Sequence, residues 1–455
     1  MKVNPNIFKA YDIRGIWGQD LNPEIGEAIG RAFARLLQKE NGEKKLKIVV
    51  GMDMRLSSPT LQERVMAGLV DSGLNVVDVG LVSTPAFYFA VAYYGYDGGV
   101  QVSASHNPKE YNGFKMVRAR AMPVGRDTGM NDLKEMVLHD MYQTSTIKGE
   151  VEERHGVVED MVKAQSAGIP TTRISPLTIV VDAANAMGAI DVEAMFAGLP
   201  CKLIKMNFEL DGSFPVHQPD PLDEKNLAVL REAVLAHKAD MGIAPDGDGD
   251  RYFFVDEKGD VIRQEILRGI MAQIALHEHP GATVCYDIRP GRITRDMIEA
   301  AGGKGVVTPV GHSLIKQRML EVNAVFGGES SGHYFYQFSY GTFEAPVPLV
   351  LKFLLWVSEQ KKPLSEILAP YRKYFHSGEI NSEVASVPSV LERIKKHYAT
   401  GKITLLDGVS VEFDDFWFNV RGSNTEPLIR LNLEAKTEAL MNAKRDEVLA
   451  VIRES

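Results

Sequence analysis

Cysteine is nearly missing from this sequence, with only Cys201 and Cys285 in 455 residues. Two cysteines make no disulfide framework, so packed cores must hold the fold, and a reducing compartment is expected. Long apolar runs are missing too. The most apolar stretch, 347–357, contains Lys352 and falls short of the roughly 20 residues needed to span a bilayer, so it is expected to be a buried helix. The opening residues, Met1-Lys2-Val3-Asn4-Pro5, carry no signal-like apolar core. A cytoplasmic, non-membrane protein is expected. Positive charge is not in excess either: 51 Lys and Arg face 60 Asp and Glu, a formal net charge of -9. That argues against general affinity for nucleic acid or anionic membranes, so an anionic substrate must find its cations locally. What is present, 45% hydrophobic and 24% charged residues, is ordinary for globular protein. At about 100–200 residues per domain, the length allows three or four domains.

Periodicity gives alternating strands and helices. Ile25, Ala28, Ile29, Ala32, Phe33, Leu36 and Leu37 share one helical face. The Val-rich runs 47–51, 76–79 and 99–102 read as buried strands. One plan recurs three times. A strand ends in an Asp loop (Asp53, Asp182 or Asp287). A second ends near a proline (Pro85, Pro215 or Pro309). A third ends in a polar loop at 103–108, 246–251 or 327–333. Any α/β chain offers some such coincidences, but the recurrence leads us to expect three related α/β domains with mainly parallel mixed sheets. Ligand loops cluster at the carboxyl ends of such strands. From about Tyr371 a C-terminal α+β domain is expected, with strands at 409–413, 416–420 and 428–433. The expected domains are 1–149, 150–255, 256–368 and 369–455.

Four loops carry candidate chemistry. Ser103-Ala104-Ser105-His106-Asn107-Pro108 offers a hydroxyl after a strand, either a nucleophile or a polar turn. Asp246-Gly247-Asp248-Gly249-Asp250-Arg251 places three carboxylates on alternate residues, able to converge on one hard cation. An EF-hand is the rival reading, but Arg251 stands where that loop needs Gly, and the flanks read as strands. Residues 328–332 match G-x-S-x-G, the nucleophile elbow of α/β-hydrolases, yet Tyr334-Phe335-Tyr336 is a poor start for the helix that motif requires. Arg421-Gly422-Ser423-Asn424-Thr425-Glu426-Pro427 is either a phosphate cradle or a hairpin turn.

Taken together, in this order and spacing, the four loops resemble the α-D-phosphohexomutase superfamily, closest to its phosphomannomutase/phosphoglucomutase group. The resemblance begins at Phe8-Lys9-Ala10-Tyr11-Asp12-Ile13-Arg14-Gly15 and covers nearly the whole chain. It implies that Ser105 carries the phosphoryl group and that Asp246, Asp248 and Asp250 bind Mg2+, with phosphoserine as a further ligand. It also implies that Arg14 and Lys115 flank the transferring phosphate and that His333 acts as acid or base. Glu329 and Ser331 would read sugar hydroxyls, and Arg421, Ser423, Asn424 and Thr425 would grip the other phosphate. Tyr11, Arg251, Arg289 and His312 fall at expected substrate-binding positions. The implied reaction interconverts hexose 1-phosphate and hexose 6-phosphate, of mannose and/or glucose, through a hexose 1,6-bisphosphate that is intermediate and activator. The sequence departs from the pattern at Ser103, at Ser330 and over 339–344, without loss of a catalytic group. Loss of Ser105, Lys115 or an acid of the Asp loop would have favoured a noncatalytic phosphosugar-binding protein, and none is lost. The third reading is a serine hydrolase built on Ser330.

Overall fold

The computed structural model describes residues 2–42, 44–142, 144–422 and 428–454. They gather into two compact units. One comprises Met1–Ile262 with Gly332–Ser365, and the other Arg263–Ser331 with Glu366–Ser455.

The first unit holds two mixed sheets. In the larger, Gly98–Val102, Lys47–Met52, Asn75–Leu81 and Val151–Glu153 run parallel, in that spatial order. Tyr111–Arg118 pairs antiparallel with Gly98–Val102 on one side and Ile13–Ile16 on the other. The helix Pro23–Asn41 starts where the Asn22 side chain accepts from Ile25 N, with Pro23 at its first position. Its expected apolar face is buried. It packs very closely on the helix Ser58–Asp71. A Cβ on Gly30 would meet Val65 O at 2.3 Å, and one on Gly68 would meet Glu27 O at 2.2 Å. In the second sheet Met241–Pro245, Thr178–Asp182 and Lys202–Met206 are parallel, and Tyr252–Asp256 returns antiparallel to Met241–Pro245. The Asp loop is therefore the connection of a hairpin. The hairpin Tyr334–Phe338/Gly341–Glu344 and the largely buried helix Pro346–Gln360 complete this unit.

In the second unit, Thr283–Asp287 is flanked in parallel by Lys304–Thr308 and Phe326–Gly328. The C-terminal sheet is wholly antiparallel, ordered Phe375–Glu383, Leu428–Ala435, Phe416–Gly422, Val409–Glu412 and Lys402–Thr404. Val387–His397 and Glu438–Arg453 share an apolar core with it. The fold class is three α/β domains plus a C-terminal domain. The repeated plan extends to turn chemistry: Asp53 Oδ1 accepts from Arg55 N and Asp182 Oδ1 from Ala184 N, each at 3.0 Å. Among the described residues, no helix is long and apolar enough to cross a membrane.

Candidate active site

Ser105 follows the strand Gly98–Val102 with φ of +50°, a left-handed backbone uncommon outside glycine. That strain persists because the surroundings over-determine the loop. Ser103 Oγ accepts from Ser105 N at 2.9 Å. The fully buried Arg55 donates through Nη2 to Ser105 O (2.7 Å) and Asn107 O (2.6 Å), and through Nη1 to Pro108 O and Tyr111 O. The Ser105 hydroxyl lies 3.0 Å from Asp246 Oδ2 and 3.2 Å from His106 Nδ1.

Asp246, Asp248 and Asp250 are buried and bring one carboxylate oxygen each within 4.8 Å of one another. Thr84, opening the helix Thr84–Tyr93, donates through Oγ1 to Asp248 Oδ2 at 2.5 Å, and its N–H reaches Asp248 O at 2.9 Å. Lys115 Nζ, on Tyr111–Arg118, bridges Asp248 Oδ2 (2.5 Å) and Asp250 Oδ2 (2.6 Å). Burial, then the charges of Asp250 and Asp248, push Asp246 well above the usual carboxylate range. Burial would raise Asp250 too, but Lys115 and then His333 outweigh it and hold it well below that range. Burial would depress Lys115, yet Asp248 and Asp250 raise it well above the ordinary lysine value. Asp248 Oδ1 is buried with no hydrogen-bond partner among the described residues. An all-oxygen donor set with such an orphaned oxygen fits a hard divalent cation, which would also relieve the repulsion felt at Asp246.

Around this cluster, Arg14 Nε contacts Asp12 at 2.7 Å and its Nη1 contacts Asn107 Oδ1 at 2.5 Å. Tyr11 lies beside Gly125. His333 Nε2 sits 3.2 Å from Arg251 Nε and 3.3 Å from Asp250 Oδ1. A neutral ring accepts from Arg251, whereas a protonated ring donates to Asp250, so both protonation states have a partner. His106 is driven well below the ordinary histidine value by burial and then by Arg251 and Arg14, so its ring is neutral beside Ser105.

Within the second unit, Asp287, Arg289, Glu329 and Ser330 form a network. Asp287 Oδ1 receives Arg268 Nη1 (2.5 Å) and Ser330 Oγ (2.9 Å), and Asp287 Oδ2 receives Arg289 Nε (2.6 Å). Glu329 is buried, accepts from Gly311 N at 2.9 Å and lies 4.0 Å from Arg289. His312 opens the helix His312–Glu321, directly after Gly311. Ser331 is buried. Ser330 is thus bound to an acid and an arginine, and a strand, not a helix, follows Gly332, so the structure contains no nucleophile elbow here. Arg421 is also buried, with Nη2 on Glu379 Oε2 at 2.7 Å. Glu379 is shared with Arg430 and Asn432, while Arg421 Nε has no partner among the described residues. Ser423, Asn424 and Thr425 lie outside the described residues.

The first unit, then, brings Ser105, Lys115, Arg14, His333 and the three aspartates together. The sequence reading passed over Arg55, His106 and Glu379. For Arg55 a signal existed in Asp53-Met54-Arg55, an acid and a base straddling a turn at a strand end.

In chain order, the sequence matches phosphoglucomutase/phosphomannomutase alpha/beta/alpha domain I over residues 5–143, domain II over 158–259, domain III over 265–374 and the C-terminal domain over 379–451. The chain belongs to the phosphoglucomutase/phosphomannomutase family. It is similar to the phosphomannomutase of Vibrio cholerae serotype O1, 39% identical with 98% of each chain covered. It is also similar to the phosphomannomutase of Escherichia coli K12, 38% identical, covering 98% of this chain and 99% of that one. A crystal structure of a phosphoglucomutase/phosphomannomutase family protein from Burkholderia thailandensis matches with a TM-score of 0.91 and 30% identity, covering 100% of this chain and 99% of that one. A member of this family is a phosphotransferase mutase acting between hexose 1- and 6-phosphates. The buried acidic cluster of this chain is a site able to bind a metal ion.

Proposed function

We propose that the protein moves a phosphoryl group between O1 and O6 of mannose and/or glucose through phosphoserine at Ser105, in the domain spanning 1–149. The observation that carries this is the placement of the Ser105 hydroxyl, 3.0 Å from an acid loop whose far side is neutralised by Lys115. Asp246, Asp248 and Asp250 would hold Mg2+, with a phosphoserine oxygen as a further ligand, and the ion supplies charge neutralisation at the transferring phosphate. In the first half-reaction a hydroxyl oxygen of the hexose monophosphate attacks the phosphorus. The bond from phosphorus to Ser105 Oγ breaks, and the hydroxyl proton passes to His333. Arg14 and Lys115 flank the phosphoryl in transit. The resulting hexose 1,6-bisphosphate turns end for end, and its other phosphoryl returns to Ser105. Glu329 and Ser331 bind ring hydroxyls. Arg421 with Ser423, Asn424 and Thr425 binds the phosphate that is not transferred, and Tyr11, Arg251, Arg289 and His312 complete the substrate contacts.

The test assays the protein with mannose 1-phosphate, glucose 1-phosphate and glucosamine 1-phosphate, each with catalytic hexose 1,6-bisphosphate. Ser105→Ala is expected to lose the intact-mass increment of one phosphoryl group and to lower turnover by roughly a thousandfold or more. Exhaustive chelation is expected to abolish turnover, and added magnesium to restore it. Full activity of Ser105→Ala, or activity indifferent to chelation, would overturn the proposal.

A further inference from the structure

The segment His217-Gln218-Pro219, just past Pro215, is not one of the four loops read for chemistry, yet it touches two of them. The Gln218 side-chain amide donates through Nε2 to His106 O at 2.8 Å, one residue beyond Ser105. Pro219 O accepts from Gly247 N at 3.1 Å, inside the Asp loop. Gly247 itself is wedged between the two: a Cβ there would meet Ser105 O at 2.3 Å and Pro219 Cγ at 3.1 Å. The separation between Ser105 and the carboxylates is thus set partly by this third segment.

The segment is itself anchored. His217 Nε2 lies 3.0 Å from Asp182 Oδ2, and its Nδ1 lies 2.9 Å from Gln218 O. A carboxylate and a carbonyl both accept, so the ring donates from both nitrogens as an imidazolium. The hydrogen bond that His217 donates to Asp182 raises its pKa accordingly. Asp182 is in turn fixed by Ala184 N at 3.0 Å and Asn207 Nδ2 at 2.8 Å. The chain of contacts runs from a buried strand end, through a charged histidine, to the peptide following the nucleophile.

We propose that Gln218, oriented by the Asp182–His217 pair, is a positioning residue for phosphoryl transfer that holds the Ser105 loop in register with the Asp loop. The inference rests on Ser105 as the phosphoryl carrier. Gln218 acts through the His106 carbonyl of the serine loop, so its loss acts on the chemical step rather than on hexose phosphate binding. Misplacement of a reacting group by about 1 Å costs on the order of 10²-fold in rate.

The test compares wild type, Ser105→Ala, Gln218→Ala, Gln218→Glu, His217→Ala and the double variant His217→Ala/Gln218→Ala in the mutase assay with mannose 1-phosphate and glucose 1-phosphate. Thermal unfolding is followed in parallel. Gln218→Ala is expected to lower kcat by about 10- to 100-fold with KM changed less than twofold. Gln218→Glu keeps the size of the side chain but faces the His106 carbonyl with an acceptor, so it is expected to fall as far as Gln218→Ala. A role in packing alone would leave Gln218→Glu near wild type. The double variant His217→Ala/Gln218→Ala is expected to lose less than the product of the single losses, because His217 acts in part through Gln218. Wild-type kcat in Gln218→Ala or in Gln218→Glu, a loss carried by KM, or independent losses in the double variant would overturn the inference. If Ser105→Ala keeps activity, the phosphoserine reading falls and the inference with it. If Ser105→Ala is dead and Gln218→Ala is not, the inference alone falls.

Discussion

The two units solve opposite problems with the same residue types. In the first, the charged groups around Ser105 are locked by multiple partners. Lys115 spans two aspartates, and Arg55 spends four hydrogen bonds on backbone carbonyls of the serine loop. In the second, Arg421 rests on the single acid Glu379, which also serves Arg430 and Asn432, and keeps a buried Nε with no partner among the described residues. A bond-making site needs its geometry over-determined, since misplacement is costly in rate. A ligand-gripping cation needs a partner it can exchange for phosphate. Ion pairs thus differ between the two units: Lys115 and Arg55 are held by several acceptors each, while Arg421 shares Glu379 with Arg430 and Asn432, as the proposed phosphate grip would require.

The strongest way to break the comparison is to unlock the rigid side. Arg55 and Asp53 form an ion pair with both side chains fully buried, and removing one partner of such a pair typically costs about 3–5 kcal/mol. Arg55→Met should lower stability by about that amount, measured by denaturant unfolding, and turnover should fall even at temperatures where the variant stays folded. A stable, fully active Arg55→Met would show that the serine loop does not depend on its clamp.

A smaller effect is expected on the exchangeable side. Arg421→Ala should weaken binding of hexose 1-phosphate and hexose 6-phosphate alike, by roughly 1.5–3 kcal/mol for a lost charged hydrogen bond. Calorimetric titration with both isomers checks this. A loss confined to one isomer would mean that Arg421 serves one substrate orientation, contrary to a bisphosphate that turns end for end.

The smallest effect sharpens the comparison through pH. Glu434 in the second unit is lifted to about 7, first by burial and then by the charge of Glu265. A carboxyl raised on folding destabilises the fold as pH climbs above its unfolded value of 4.5, and the penalty levels off above about 7. Glu434→Gln should therefore gain nothing at pH 4 and at most about 3 kcal/mol at pH 8. Unfolding midpoints at the two pH values decide it, and an equal shift at both would remove the electrostatic explanation.

Much of this was legible beforehand because it is local. Periodicity placed strands at 47–51, 99–102 and 409–413, a buried helix over 347–357 and strands flanking the Asp loop, and the structure has Lys47–Met52, Gly98–Val102, Val409–Glu412, Pro346–Gln360 and the antiparallel pair around that loop. The convergence of Asp246, Asp248 and Asp250 was readable because carboxylates on alternate residues of one short loop are brought close together. Ser105 was readable as a candidate, but its left-handed backbone was not, since nothing within the loop demands it.

Which distant groups meet is settled by tertiary packing alone. Arg55 reaches a carbonyl 50 residues away, Gln218 one 112 residues away, and Ser105 a carboxylate 141 residues away. Periodicity encodes which face of an element is buried. It carries no information on which polar atom that face will confront. Those pairings are settled when the sheets pack, because a polar group leaving water must find its partner among whatever the packing brings near.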